Sequence, residues 1–164
     1  MVILVDTAII RDAVARVVDP EIPSLTIEDL GILRDVQVDD GRVVVTITPT
    51  YAGCPAMDVI CSDVVAAARD AGAAAVEVRT VLAPAWSTDD ITAAGHAKLV
   101  AAGIAPPSPV RPSGPVLVRL STRVCCPNCG SAETEELSRF GSTACKSLRR
   151  CTACGEPFDH VKAL

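Results

Sequence analysis

The sequence predicts a small α/β domain, a two-layer α+β arrangement with a three- or four-stranded sheet and about three helices, followed by a small four-cysteine ribbon. Three observations predict this class. Segments of helical and of alternating apolar periodicity succeed one another up to residue 102. A proline-rich stretch then breaks the pattern, and two Cys-x-x-Cys pairs lie beyond it. The expected boundaries are 1–104 for the first domain, 105–115 for a stiff extended linker and 116–164 for the ribbon.

The first domain is expected to run helix, hairpin, helix, strand and helix. Asp6 or Thr7 can cap the first helix, because a short polar side chain accepts a bond from a free backbone N–H. The Asp-Asp-Gly sequence at 39–41 is a strong turn signal between two strand-like runs. Ser87 or Thr88 can cap the last helix. The predicted bounds, in chain order, are 7–18, 32–38, 42–48, 56–71, 75–82 and 89–102, with a further strand at 116–120.

The composition excludes several classes of protein. With 164 residues, 49% of them hydrophobic, the chain can bury a core and is not disordered. No apolar run reaches the roughly 18 residues that a membrane span needs, and Asp6 interrupts the apolar start before a signal peptide could form. The chain is therefore expected to be cytoplasmic with no membrane partner, in a compartment where thiols stay reduced.

Charge is divided unevenly along the chain. Residues 1–104 carry 15 acidic and 7 basic side chains, a net −8, whereas residues 105–164 carry 5 acidic and 8 basic ones, a net +3. A basic ribbon could contact nucleic acid, but this excess is modest and the acidic first domain repels phosphate. The division favours two solvated surfaces or a tail that docks on an acidic partner. No nucleic-acid partner is expected.

The two Cys-x-x-Cys pairs have the spacing of a metal site. Each pair supplies two thiolates from one tight turn, and a glycine follows each pair, so a closed tetrahedral Zn²⁺ site is the first interpretation. An iron-sulfur cluster and disulfides or uncommitted thiols are the alternatives. Two more cysteines, Cys125 and Cys145, are spare, and Cys145 could be a reactive thiol, an alternative ligand or buried filler. The predicted metal ligands are Cys126, Cys129, Cys151 and Cys154.

A second candidate site lies where the loop after the hairpin enters the second helix. Cys54 stands just ahead of this helix, and Pro55 fits the first helical position. A helix N-terminus stabilises an anion, which favours a thiol that reacts or binds metal. The alternative for Cys54 is simple packing. Cys61, inside the helix, is predicted to be an inert core thiol.

Acidic residues cluster between the first helix and the hairpin. Asp19 and Glu21 lie beside two prolines, with Glu28 and Asp29 following. These carboxylates could act as acids or ligands, but without a partner motif they are interpreted as turn and cap residues. His96, on the last helix, has no ligand neighbours in sequence and is predicted to be surface or packing.

Enough motifs are now assembled to compare the chain with known families. The first domain, with DPEIPSLTIEDLGILRDV, TPTYAGCPAM and LAPAWSTDDIT, resembles the SufT-like metal-sulfur cluster assembly domain. With CPNCGS, FGSTACKSLRRC and EPFDHVK added, the chain from about residue 7 onward resembles the PaaD (or PaaJ) family, accessory proteins encoded with the phenylacetyl-CoA epoxidase. Both halves and the proline linker agree in order. Cys125 is not obviously part of the pattern.

The resemblance implies a bacterial accessory or maturation factor of aerobic phenylacetate degradation. It implies that Cys54 is the functional thiol, a transient ligand of iron or of an iron-sulfur cluster, with Asp19 and Glu21 as its acidic neighbours. The partners implied are the reductase or oxygenase component of the epoxidase and the iron-sulfur assembly machinery, and a homodimer could share the cargo. No free-standing enzyme is expected, because no nucleophile, base and orienting group can be assembled from neighbouring motifs. The competing hypothesis is a stable, non-catalytic subunit of the epoxidase complex.

Overall fold

A computed structural model describes residues 6–39, 41–110 and 123–164. The chain forms two compact units, Met1–Trp86 and Ser87–Leu164. The helices are α1 (Thr7–Ala15), α2 (Ala56–Asp70) and α3 (Ala93–Ala101), with one 3₁₀ turn at Thr88–Asp90; the strands are β1 (Leu33–Asp39), β2 (Arg42–Ile47), β3 (Val76–Thr80), β4 (Thr134–Ser138), β5 (Lys146–Cys151) and β6 (Pro157–Val161). Three helices and two small sheets confirm the predicted fold class.

The first unit is built on a three-stranded sheet in the order β1-β2-β3. The hairpin pairs β1 with β2 antiparallel, as predicted, and β3 joins the other side of β2 in parallel. A parallel pairing needs a crossover, which α2 provides. Val43, Val44 and Val45 are all buried, so the central strand is covered on both faces. This differs from the predicted half-buried alternation, because the paired side chains of Arg42, Glu77 and Arg79 surround Val44.

The first helix begins and ends close to its predicted limits. Asp6 caps it, and its carboxylate accepts a hydrogen bond from the Ala8 N–H at 2.9 Å. Ile10 and Val14 are fully buried on one face of α1, which packs against α2 and β1. This side of α1 therefore faces the core, whereas Ile9 of the same helix is 58% exposed.

The predicted helix at 89–102 is two elements. Ser87 caps the 3₁₀ turn at Thr88–Asp90 through a capping box, and the chain then leaves the helical region at Ile91, with φ −64° and ψ 127°. The Thr92 hydroxyl caps the start of α3, where it accepts a hydrogen bond from the Gly95 N–H at 3.0 Å. Ser87 and Thr92 are both good N-cap residues, so two short helical elements begin close together. Apolar periodicity alone predicts them as one helix.

The second unit includes α3 and the start of the predicted linker. Ala105 is buried and bonds along β6, donating to Asp159 O at 2.8 Å and accepting from Val161 N at 3.0 Å. The division after Trp86 therefore differs from the predicted boundary at 104, because these backbone bonds connect the linker to the ribbon sheet. The predicted strand at 116–120 lies outside the described residues. Within the described ranges, no helix is long and apolar enough to cross a membrane.

The ribbon is the part of the second unit that contains the paired cysteines and the sheet β4-β5-β6, in which both pairings are antiparallel. Among the residues that the structure describes, its apolar core contains Ala105, Val124, Cys126, Cys151 and Phe158. A ribbon of this length needs a further source of stability, and the fold brings two of the four predicted metal ligands into this cluster.

Candidate functional site

The four paired cysteines converge, and their sulfur atoms all lie within 4.8 Å of one another. The Sγ atoms of Cys126 and Cys154 are 3.8 Å apart, and those of Cys129 and Cys151 are 3.6 Å apart. A Zn–S bond of about 2.3 Å in a tetrahedron requires S–S edges of about 3.8 Å. The group is therefore a set of four sulfur donors whose spacing suits a tetrahedral ion.

Each Cys-x-x-Cys pair is held on the predicted tight turn. The Gly130 N–H donates to Cys126 O and the Gly155 N–H to Cys151 O, both at 2.9 Å. Both glycines have positive φ, 74° and 82°, a conformation that suits residues without a Cβ. The two turns are equivalent in hydrogen bonding, so each presents its thiols in the same way.

The pKa values of the thiols show why a cation suits this set. The N–H groups of Cys154 and then Ala153 lower the pKa of Cys151 to about 7. The Ser131 N–H lowers the pKa of Cys129, but the hydrogen bonds of Cys129 with the Cys151 and Cys154 thiols raise it. The result is a Cys129 pKa of about 12. Neighbouring thiols cannot all ionise together without a positive charge among them, and a divalent ion supplies that charge.

The two spare cysteines stay outside the metal-binding group. Among the residues the structure describes, the four-cysteine set includes neither Cys125 nor Cys145. Cys125 is exposed. Cys145 is half-buried, and its Sγ lies 3.1 Å from the Thr143 hydroxyl in the loop between β4 and β5.

Cys54 lies at the edge of the first sheet where β2 and β3 both end. Because β2 and β3 are parallel, their carboxyl ends share one edge, and the loop from β2 carries Cys54 to the first turn of α2. This is the edge at which α/β folds place ligands. The thiol is 8% exposed, and the helix start has no side-chain cap. The thiol is therefore nearly enclosed and lies beside helix N–H groups that no side chain caps.

The other cysteine of α2 has a different environment. Burial raises the pKa of Cys61, and the Asp58 carboxylate raises it further. Both effects disfavour the thiolate, which is the reactive form. The sequence predicts that Cys61 is an inert core thiol. These effects agree with an inert thiol, but Cys61 is only half-buried and does not lie in the core.

Asp19 is committed to a turn. Its Oδ1 accepts the Glu21 N–H at 2.7 Å and the Ile22 N–H at 2.8 Å, and the residue is buried. Asp29 similarly accepts the Thr26 N–H and hydroxyl, both at 2.9 Å. These bonds match the turn and cap interpretation of the acidic cluster. That Asp19 and Glu21 also serve Cys54 stays a prediction.

Sequence reasoning missed two polar residues buried in the ribbon. His160 Nδ1 shares a hydrogen bond of 3.2 Å with the Ser147 hydroxyl, and its buried Nε2 has no hydrogen-bond partner among the residues that the structure describes. Desolvation first, and the Arg149 charge second, lower its pKa to about 4, against the opposing effect of Glu136. Lys146 is also buried, with Nζ 3.7 Å from Asp159 Oδ2. Alternation from Phe158 along β6 is a signal that could have found His160, whereas Lys146 and Ser147 are adjacent and both buried, so alternation could not have found Lys146.

Two family models match the chain, one in its first part and one in the ribbon. Residues 7–81 match the family model described as an iron-sulfur cluster assembly protein. Residues 111–162 match the family model described as the PaaD zinc beta ribbon domain. The first match contains Cys54, and the second contains the four converging cysteines.

Relatives match the whole chain or its first part. A protein of Escherichia coli, named as one subunit of a "Putative 1,2-phenylacetyl-CoA epoxidase", is 42% identical over 92% of this chain and 88% of its own length. An iron-sulfur protein maturation auxiliary factor of Porphyromonas gingivalis is 40% identical over 44% of this chain and 70% of its own. A Bacillus subtilis factor of the same description is 37% identical over 51% of this chain and 82% of its own.

Solved structures match the first part of the chain. A domain of unknown function from Bacillus anthracis superposes with a TM-score of 0.52 at 29% identity, covering 57% of this chain and 90% of that one. A conserved hypothetical protein from Thermotoga maritima gives 0.51 at 30% identity, covering 60% and 98%. The fold of the first unit is therefore one that also occurs without a ribbon.

Proposed function

The chain belongs to the PaaD family, and from that premise we propose that it is an accessory factor that helps to assemble an iron-sulfur or iron centre in a subunit of the phenylacetyl-CoA epoxidase. Two relatives named as iron-sulfur protein maturation factors support the assembly role of the first unit. The Escherichia coli relative supports the link to the epoxidase. We place its action in the cytoplasm, with the client and the iron-sulfur assembly machinery as partners.

The observation that carries the proposal is the position of Cys54 at the start of α2. In this proposal its thiolate takes up iron or a nascent cluster as cargo and releases it to the client. Clusters usually take four thiolates, so one cysteine per chain holds cargo weakly. Weak holding suits transfer, and two chains sharing the cargo would add a second thiolate. Asp19 and Glu21 are proposed as the acidic neighbours of this thiol.

The ribbon has a different proposed role, which is structural. Cys126, Cys129, Cys151 and Cys154 would hold Zn²⁺, which stabilises the small ribbon core. Four protein thiolates leave zinc no open position, so the ion would supply folding energy and no reaction chemistry. Metal and acid-labile sulfide analysis of protein purified without oxygen tests this assignment. Colourless protein with about one zinc per chain and no sulfide is expected.

The test of the transfer role compares two cysteine variants of the same helix. Cys54→Ser should abolish the gain in cluster-loaded epoxidase that the parent chain gives in cells, measured by iron, sulfide and visible absorbance of the purified client. Cys61→Ser is the matched control and should load the client as the parent does. Equal loading by Cys54→Ser and the parent chain would show that the thiol carries no cargo.

The name of the Escherichia coli relative, an epoxidase subunit, favours a second candidate function. A stable, non-catalytic subunit would remain with the complex at fixed stoichiometry after loading is complete. An accessory factor would dissociate. Mass determination of the loaded complex distinguishes the two, because only the subunit hypothesis predicts that the chain stays in it.

A further inference from the structure

Phe140 is displayed on the surface of the ribbon. Its side chain is 68% exposed, whereas Trp86 and Phe158 are buried. Only 2% of the chain is aromatic, so an exposed ring is uncommon in this protein. A single exposed apolar side chain is ordinary on a protein surface, so it indicates a contact only where the loop and the charges around it also suit one.

The loop that carries Phe140, residues 139–145, is fastened to the sheet. The Gly141 N–H donates to Lys146 O at 2.7 Å, and the Ser142 hydroxyl donates to Asp159 Oδ2 at 2.7 Å. A Cβ on Gly141 would lie 2.6 Å from Asp159 Oδ1, so the loop lies directly against β6. The exposed ring is therefore presented by an ordered loop, which lowers the entropy cost of binding.

A lysine ammonium lies beside the ring. Lys162 Nζ is 4.8 Å from the ring centroid and donates to Arg139 O at 3.2 Å, which holds the cation beside the ring. Arg139 is exposed, and its guanidinium forms no ion pair with any residue in the described ranges. The surface therefore presents an aromatic ring with one cation beside it and a second, unpaired cation on the preceding residue.

We propose that Phe140, Arg139 and Lys162 form a docking surface for an acidic protein surface that has an apolar recess for the ring. The inference rests on the proposed function, because it identifies how the factor contacts its client. Charge complementarity determines the choice of partner: the surface is basic, as is the +3 tail that contains it. Aromatic and arginine side chains are also the types that dominate binding energy at protein interfaces.

Nucleic acid fits this surface less well. Single-stranded nucleic acid is bound by several stacking rings along a basic groove, whereas here there is one ring. Two further ribbon arginines are already engaged, since Arg149 pairs with Glu136 and Arg150 with Glu135. The chain as a whole carries −5, which repels phosphate.

The experiment measures binding of the full chain to the purified reductase and oxygenase components of the epoxidase. The parent chain should bind one of them. Phe140→Ala should raise the dissociation constant of that complex by about tenfold to thirtyfold. Arg139→Glu should slow association and reduce its salt dependence. Leu82→Ala is the matched control, because Leu82 is also 68% exposed, and it should bind as the parent does. Zinc content should be equal in all four proteins.

The outcomes separate this inference from the proposed function. If Phe140→Ala loads the client poorly at low concentration of the factor but fully at high concentration, the docking surface is supported. Cys54→Ser should instead bind the client normally and fail to load it at any concentration. If Phe140→Ala binds as the parent does while Cys54→Ser still fails, the docking surface is wrong and the transfer role stands. Loss of single-strand binding or of self-association in Phe140→Ala, with component binding unchanged, also overturns it. A parent chain that binds neither component overturns both.

Discussion

The four-cysteine group of the ribbon and the single Cys54 of the first unit use the same side chain in contrasting surroundings. In the ribbon, four sulfurs converge within 4.8 Å on two hydrogen-bonded turns. At the edge of the first sheet, one thiol lies 8% exposed at an uncapped helix start. The first arrangement suits permanent binding of a metal ion, because four thiolates can complete its coordination. The second suits exchange of a metal or cluster, because one thiolate cannot complete the coordination.

This contrast teaches that the conspicuous cysteine motif and the proposed chemical site are different places. Solved relatives of the first unit have the fold without a ribbon, so the assembly domain does not depend on one. We propose that the ribbon is an addition whose folding energy comes from a metal and whose exposed loop contacts a partner. The predictions that follow test whether the two units are as independent as this view requires.

The largest effect is expected from metal removal. Chelation should unfold the ribbon, because a structural zinc site contributes about 10 to 16 kcal/mol of apparent binding free energy and the described ribbon core is too small to replace it. Amide hydrogen exchange should show lost protection in β4–β6 with protection kept in β1–β3. Unchanged exchange in β4–β6 after complete removal would refute the structural role of the metal.

Acid should weaken the second unit through His160. Its pKa is lowered from 6.5 to about 4, so between these values the unfolded chain binds more protons than the folded one. The stabilisation is complete above pH 6.5 and is lost as pH falls towards 4. The loss should be on the order of 2 kcal/mol after allowance for solvent screening.

Thermal melting at a series of pH values checks the His160 effect. His160→Asn keeps a side chain that can hydrogen-bond to Ser147 but does not titrate. The melting temperature of this variant should therefore depend less on pH, and the dependence that remains should come from metal release. Both histidines of the chain lie in the second unit, so melting of the first unit should not follow the same curve. A parent and a variant with identical pH profiles would remove His160 as the cause.

The smallest effect is expected in the first unit, at Thr48. Its hydroxyl is fully buried and has no hydrogen-bond partner in the described part of the chain, so Thr48→Val should stabilise the first unit by about 1 kcal/mol. Thr26→Val is the contrasting control: its hydroxyl donates to Asp29 at 2.9 Å, and its loss should destabilise by about as much. Chemical unfolding followed by the Trp86 fluorescence measures both. Destabilisation by Thr48→Val would show that the hydroxyl has a partner in solution.

Local signals predicted most of the elements. The Asp-Asp-Gly turn predicted the hairpin, and Pro55 and Asp6 located two helix starts, because these residues act on neighbouring backbone. The parallel pairing of β2 with β3 and the burial of Val44 were missed, since both depend on residues distant in sequence. The convergence of the four cysteines was predicted from spacing, whereas the burial of His160 and Lys146 depends on which face of β5 and β6 is covered.

The bonds that Ala105 makes along β6 set a practical rule for exchanging the ribbon between related proteins. A cut between residues 104 and 105 would separate α3 from the chain segment that follows it, although both belong to one unit. Thr88 N also donates to Leu164 O at 3.2 Å, so residues before α3 contact the last strand's extension. A graft that transfers the ribbon in working form should therefore join at Trp86 and Ser87, which makes α3 part of the transplanted module.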